Sequence, residues 1–352
     1  MAKAKIGFLG VGFMGQLAHL QNYAALDTCE IVGVTDAKIE QARIVAEAYR
    51  IPKVYANAEE LLADPNVEAV VSSQPFDNHV NIAKMVLNAG KHLLTEKPVC
   101  VYPENGHKIA EYAKKNGKIH MIANHKRSDL ATEYAMGVIG EWKKSGRLGK
   151  IKYIRLTMPP GDWVSGATGV NKPIRTDEAY ASFTREATPE GIDADTANKY
   201  VAFVNYYIHQ VNLMRYLLGE DFKLTHADRT GVMLSVESPS GVCGIIEMAT
   251  YSTSDSWQES AMVCFDRGYV YLTLPAPLAS QRAGEVTVFT DEHGKGGIYT
   301  SPVLPNVSAM RNQAKNFTRA VAGEIEPPCP SSEAVKDLEF AMEYINAMKL
   351  YK

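Results

Sequence analysis

The chain has 352 residues, 46% of them hydrophobic and 22% charged, which is too long for one compact core and suits two folded domains. Its 37 basic and 40 acidic residues leave a net charge of -3 and no basic run, so composition offers no electrostatic reason to expect a nucleic-acid or anionic-membrane partner. No apolar run approaches the roughly 20 residues that cross a bilayer, no secretory leader is read at Met1, and the five cysteines lie far apart without a metal-binding spacing. The expectations are a cytoplasmic protein with free thiols, no bound metal, no nucleic acid and no membrane.

From Lys5 the chain alternates short apolar runs with helical patterns. Strands are expected at Lys5–Leu9, Ile31–Val34, Val67–Ser72, His92–Thr95 and Lys118–Ile122. Helices are expected at Phe13–Leu26, Lys38–Tyr49, Asn57–Ala63, Val80–Ala89 and Glu104–Lys115, with Asn57 as a start signal and Gly90 and Gly117 as stop signals. This alternation reads as a doubly wound parallel sheet of the Rossmann type over residues 1–124. Residues 125–352 are expected to form a second, α+β domain with a mostly antiparallel sheet. It comprises a helix Thr132–Lys144, a strand Lys150–Met158, a stretch of little periodicity from Pro159 to Asn198, and one Tyr-rich helix Tyr200–Leu218. Strands follow at Leu224–Thr230, Val232–Ser238, Gly241–Tyr251, Ser260–Asp266, Tyr269–Leu274 and Glu285–Thr290, then helices Val307–Ala322 and Glu333–Tyr351.

Three clusters carry chemistry. Gly10-Val-Gly12-Phe13-Met14-Gly15 stands between the first strand and the first helix, where Gly10 permits a tight turn, Gly12 admits a pyrophosphate and Gly15 lets helix and strand approach. Asp36 closes the second strand about 20 residues on, where a carboxylate binds adenosine ribose hydroxyls. Together these point to a nicotinamide dinucleotide. Asp36 would repel a 2′-phosphate and so favours NAD, while Lys38 and Arg43 leave NADP open. Thr95-Glu96-Lys97-Pro98 ends the fourth strand and faces the crevice where such sheets bind ligands; a solvated turn is the plain alternative. Asn205 and His209 are four apart on the Tyr-rich helix and would share a face. His209 suits proton transfer near neutral pH, or is a satisfied core histidine.

In this order the clusters resemble the glucose-fructose oxidoreductase / inositol dehydrogenase / rhizopine catabolism family, known as Gfo/Idh/MocA. The likeness takes in Gly10–Gly15, Asp36, Ser72-Ser73-Gln74-Pro75 with His79, Ala89 to Pro98, Gly146-Arg-Leu-Gly149 and the helix of His209 ending at Gly219. It implies that the loop with Phe13 and Met14, together with Ser73, Gln74 and His79, lines the cofactor, that Glu96 binds the nicotinamide ribose, and that Lys97 reaches both cofactor and substrate. A cis Lys97–Pro98 peptide is implied as well. His125 and Arg127 would border the substrate, and Trp163 could stack on a sugar ring. The family's acid/base pair is an aspartate and a histidine, and this chain departs from it: Asn205 stands at the aspartate, leaving His209 without that charge.

The resemblance implies hydride transfer between a sugar, sugar derivative or cyclitol hydroxyl and NAD(P) by a homodimer or homotetramer. The altered pair also admits glycoside hydrolase or lyase chemistry through transient ring oxidation with a retained, recycled cofactor.

Overall fold

The computed structural model describes residues 3–165, 172–180, 182–248, 251, 253–254, 256–292 and 296–349. In chain order the elements are β1 (Ala4–Leu9), α1 (15–23, π-helical over Gly15–Leu20), β2 (Cys29–Thr35), α2 (Ile39–Tyr49), α3 (Ala58–Ala63), β3 (Ala69–Ser72), α4 (His79–Asn88), β4 (His92–Thr95), α5 (Pro103–Asn116) and β5 (His120–Ile122). A 3₁₀ turn (His125–Ser128) leads to α6 (Leu130–Ser145) and β6 (Ile151–Thr157). Then come α7 (Ala194–Tyr206), α8 (Ile208–Leu218), β7 (Lys223–Ala227), β8 (Met233–Glu237), β9 (Cys243–Glu247), β10 (Ser260–Phe265), β11 (Gly268–Thr273), β12 (Glu285–Glu292), β13 (Gly296–Thr300), α9 (Ala309–Val321) and α10 (Ser331–Met348). Residues 249 and 250 of the expected strand, and Tyr351 at the expected end of the last helix, lie outside the described residues.

The chain forms two compact units. The first holds Met1–Asn124, Ala167–Ala197 and Gln313–Leu338. Its parallel sheet runs β2-β1-β3-β4-β5, so the strand order reverses across β1 and β3. β3 is buried at all four residues and β1 at all but one. That is the pattern of strands covered on both faces, and it explains why these segments read as unbroken apolar runs. The local punctuation works as the residues suggest. Asn57 accepts the Glu60 N–H at 2.8 Å and starts α3, and Gly117 ends α5 at φ 59°.

The first unit's opening stretch ends at Asn124, as expected, but residues 1–124 are not the whole unit, because two later segments complete its core. Phe317 and Ala314 of α9 are buried in the same cluster as Phe8, Tyr23 and Val34, with Ile174 and Val321 packed against it. Cys329 accepts the Ile122 N–H at 2.8 Å. Helical periodicity identifies α9 as a helix but carries no information about which sheet it covers.

The second unit holds His125–Gly166, Asn198–Asn312 and Glu339–Lys352. Its eight-stranded sheet runs β13-β12-β11-β10-β6-β9-β8-β7, antiparallel except where β6 meets β9. Burial alternates along β8, β10 and β11, so one face carries the core. α6 lies on that face, with Trp142 edge-on to Phe265 at 5.1 Å between ring centres. β13 was not expected: its five residues are all exposed, so no alternation marks it.

The Tyr-rich helix is two helices. α7 starts at Ala194 rather than Tyr200, and a single turn residue, Tyr207 (φ -85°, ψ -4°), separates it from α8. The Tyr207 hydroxyl donates to Met248 O at 2.7 Å, a tertiary tie that coincides with the turn.

Candidate functional site

In the first unit, the loop after β1 and the loop after β3 meet where the strand order reverses, the position at which such sheets bind ligands. Gly10 has φ 99°, and a Cβ there would stand 2.7 Å from Gln74 Nε2. A Cβ on Gly15 would stand 2.6 Å from Gly10 O. Gly15 is required by crowding against the backbone, and Gly10 by its left-handed φ. Gly12 differs: a Cβ there meets nothing within 4 Å. That open space above a helix start is what a pyrophosphate needs, so the loop fits the dinucleotide that its spacing suggests. Phe13 and Met14 continue the loop into α1, and Gln16 N–H donates to Gly12 O at 3.0 Å.

Asp36 does not cap α2; Lys38 holds the cap position. One carboxylate oxygen accepts the Val11 N–H of the glycine loop at 2.7 Å, and the other accepts the Lys38 N–H at 2.9 Å. The acid is thus fixed beside the loop at the end of β2.

Beyond β3, Ser73 N–H donates to Leu9 O at 3.1 Å, tying this loop to β1. His79 is fully buried, with its ring nitrogens 3.0 Å from Pro98 O and 3.2 Å from Gln74 O. Burial lowers its pKa against the pull of those carbonyls. It therefore positions Gln74 and the Lys97–Pro98 turn rather than facing a ligand, unlike the lining role the resemblance implies. The Lys97–Pro98 peptide is cis.

Glu96 follows β4, and its carboxylate is held at both oxygens. His19 Nε2 lies 2.6 Å from Oε1, and Lys97 N–H donates to Oε2 at 3.2 Å. Burial alone would raise this carboxyl, but His19 and Lys97 bring it below the usual range, so it is ionised at neutral pH. His19 was not singled out from the sequence; its partner lies 77 positions away.

A second unforeseen feature is the segment after residue 171, which runs along the carboxyl edge of the parallel sheet. Gln16 is 3% exposed and pairs with the Ile174 backbone in both directions, at 2.8 and 2.9 Å. Lys38 Nζ donates to Thr176 O at 3.1 Å and stands 4.2 Å from the Tyr180 ring centre. Glu178 accepts the Glu40 and Gln41 N–H groups, each at 3.1 Å, at the start of α2. Farther along, Glu186 accepts the Val101 and Tyr102 N–H groups at 2.9 and 2.8 Å, at the start of α5. A carboxylate thus fastens the segment to a helix start at each end.

In the second unit, His125 to Asp129 are five consecutive polar residues, each no more than 4% exposed. Such a run is stable only with internal partners. The His125 ring meets the His209 ring edge-on, 5.2 Å between centres. Arg127 donates through Nε to Asn212 Oδ1 at 2.6 Å and lies 4.8 Å from the Tyr216 ring centre. Its role is to tie the 3₁₀ turn to α8; at 1% exposure it does not offer its guanidinium to a substrate. Lys126 Nζ pairs with Glu259 at 2.5 Å, and Glu259 also accepts from Gln210 and Trp257 at 2.9 and 3.1 Å. This buried network, spanning 133 positions of sequence, anchors the turn that carries His125. Asp129 accepts from Ala131 and Gly284, and burial pushes its carboxyl up to about 6.

His209 lies just past the turn at Tyr207 and is half-buried, whereas Asn205 lies before the turn and is exposed. The backbone remains in the right-handed helical region through Tyr207, whose N–H donates to Phe203 O at 2.7 Å and whose carbonyl accepts the Val211 N–H at 3.3 Å. Trp163 is 39% exposed, and its carbonyl accepts the Leu278 N–H at 3.2 Å. Among the described residues no three His, Cys, Asp or Glu side chains gather as a metal site, and no helix is long and apolar enough to cross a membrane.

Residues 4–125 match the model of the oxidoreductase family with an NAD-binding Rossmann fold named GFO_IDH_MocA. Over 346 residues the chain is 24% identical to myo-inositol 2-dehydrogenase of Thermotoga maritima, covering 94% of this chain and 91% of that protein. It is 30% identical over 144 residues to D-glucoside 3-dehydrogenase of Escherichia coli, where the match covers 39% of this chain and 40% of that protein. The fold superposes on aldose-aldose oxidoreductase of Caulobacter crescentus with a TM-score of 0.72 at 17% identity, covering 100% and 99% of the two chains. With the glycine loop, Asp36 and the Glu96-Lys97-Pro98 turn in place, residues 4–125 are the NAD-binding Rossmann unit of the Gfo/Idh/MocA oxidoreductases, and the chain as a whole is similar to a dehydrogenase over nearly its full length.

Proposed function

We propose that the chain oxidises one hydroxyl of a sugar, sugar derivative or cyclitol at the expense of NAD(P), with Lys97 and His209 as the groups at the reacting oxygen. The observation that carries this reading is the Glu96-Lys97 turn at the end of β4, whose acid is oriented by His19 beside the open Gly12 loop. The names of the relatives supply the substrate class.

Bound nicotinamide supplies the acceptor for the hydride that leaves the carbinol carbon. The glycine loop holds the phosphates, Asp36 the adenosine ribose, and Glu96 the nicotinamide ribose. Lys97 donates a hydrogen bond to the hydroxyl oxygen and stabilises negative charge there as the C–H bond breaks. An imidazole nitrogen of His209 takes the hydroxyl proton, and the carbonyl forms. His125 packs edge-on against that ring and holds its orientation. Asn205, four residues before His209, supplies an amide where the family's pair has a carboxylate, so it adds no charge to favour the protonated imidazole.

A screen of polyols and sugars with NAD and NADP, followed by absorbance of the reduced cofactor, tests the reading. One substrate should give steady accumulation; silence across the whole panel would overturn it.

The segment fastened at Glu178 and Glu186 favours a second reading, in which the cofactor is retained and recycled during glycoside cleavage. Stoichiometric nucleotide in the purified protein, with cleavage of a chromogenic glycoside and no net cofactor reduction, would select it over the first.

A further inference from the structure

NAD and NADP differ at one place, the 2′-oxygen of the adenosine ribose. In this fold that oxygen lies at the end of β2, next to the residue that is Asp36 here. A 2′-phosphate brings a charge of about -1.5 to -2 and needs cations or free N–H donors to receive it. The chain has the expected receivers within seven residues: the Lys38 ammonium, the backbone N–H groups opening α2, and Arg43.

Each of these is already engaged. Lys38 Nζ bonds Thr176 O and sits over Tyr180. The Glu40 and Gln41 N–H groups both point at the carboxylate of Glu178, which the Thr176 hydroxyl also braces at 2.8 Å. Arg43 Nη1 lies 3.3 Å from Glu40 on the surface. Asp36 itself takes the N–H groups of Val11 and Lys38. An acid delivered from more than 130 positions downstream thus sits on the anion-accepting end of α2, a few residues from the acid at the end of β2.

We propose that Glu178 is a cofactor-specificity residue: by filling the start of α2 with its own carboxylate, it makes the first unit take NAD and refuse NADP. The proposal rests on the reading that this crevice holds a nicotinamide dinucleotide. The N–H groups of Glu40 and Gln41, the Thr176 hydroxyl and the Lys38 charge hold the Glu178 carboxyl below its ordinary range, so the acid is charged at neutral pH. A 2′-phosphate here meets two carboxylates, and the cation nearby is turned toward the Thr176 carbonyl. Asp36 alone is the usual discriminator; here a second acid removes the helix start from use.

The test is calorimetric titration of NAD and NADP into wild type, Glu178→Ala, Glu178→Gln and Glu186→Ala. The conservative Gln variant keeps the shape and removes only the charge. Glu186→Ala loosens the same segment at its other end, away from the ribose, and separates loss of charge from loss of anchoring. Thermal melts report whether each variant is folded. Wild type should prefer NAD. Both Glu178 variants should shift the NADP-to-NAD affinity ratio toward NADP by about tenfold to a hundredfold, and Glu186→Ala should leave the ratio where it was. An unchanged ratio in both Glu178 variants, or a wild type that binds NADP as tightly as NAD, overturns the proposal. Binding is read without turnover, so a protein that shows the preference but oxidises no polyol keeps this assignment and loses the dehydrogenase reading.

Discussion

At the scale of single residues, the glycine loop separates two demands that a spacing motif merges. Gly15 is required by the protein, since a Cβ would press on Gly10 O, whereas Gly12 is required only by what binds above it. Gly15→Ala should therefore cost stability, about 1–3 kcal/mol by chemical denaturation. Gly12→Val should melt near the wild-type temperature yet bind dinucleotide more than about tenfold weaker, through steric exclusion of the pyrophosphate. Equal loss of stability in both variants would contradict the distinction. Lys97→Met and His209→Gln should each lower kcat by about 10²–10⁴ while leaving NAD affinity within a few-fold, as expected for groups that act on the proton rather than hold the cofactor. Rapid-mixing kinetics with the substrate found in the screen would check this. The chemistry-bearing residues were legible because their types and spacing are local. His19, Glu178 and Glu259 were not, because each acts on a partner far away in sequence, and nothing at position 19, 178 or 259 announces it.

At the scale of elements, alternation of strand and helix was readable throughout residues 4–122, because strands buried on both faces are short apolar runs and the helices between them are amphipathic. The same logic failed where burial is absent or where a tertiary contact overrides it. β13 is exposed at all five positions and has no pattern to read. The turn at Tyr207 has no Pro or Gly to mark it. The stretch 172–190 has no periodicity because backbone N–H groups and carboxylates hold it, not an apolar face. α9 was found as a helix but not as part of the first unit's core. Phe317→Ala tests that placement: a fully buried ring in the Phe8 cluster should cost about 3–5 kcal/mol, whereas an aromatic on a loosely attached helix would cost far less.

At the scale of the whole molecule, the buried titratable groups set how stability responds to acid. Burial lowers the His79 pKa and takes His120 down to about 3, with the His79 charge adding to the latter. The unfolded chain protonates both near 6.5, so below that pH it binds more protons than the folded chain, and stability falls as pH falls. Asp129 works in the opposite sense. Its folded carboxyl titrates at about 6 and the unfolded one near 3.9, so stability rises as pH falls between those values. Burial also lowers His92 and raises Glu186, so three histidines stand against two acids and the histidines set the sign. Unfolding free energy should therefore decline from about pH 6.5 toward pH 4.5, by up to about 1.4 kcal/mol per pH unit for each histidine. His120→Asn should make the decline shallower; an unchanged slope would remove His120 from the account.

The first unit is assembled from three stretches of chain, and its core joins Phe8 to Phe317 across almost the full length of the polypeptide. During synthesis the parallel sheet emerges early but lacks its last wall until the closing helices leave the ribosome. The nascent amino-terminal portion must then wait with an apolar flank uncovered while residues 198–312 of the second unit are made. Folding of the first unit thus waits on α9: a chain cut short before residue 313 forfeits the nucleotide-binding half along with the missing helix.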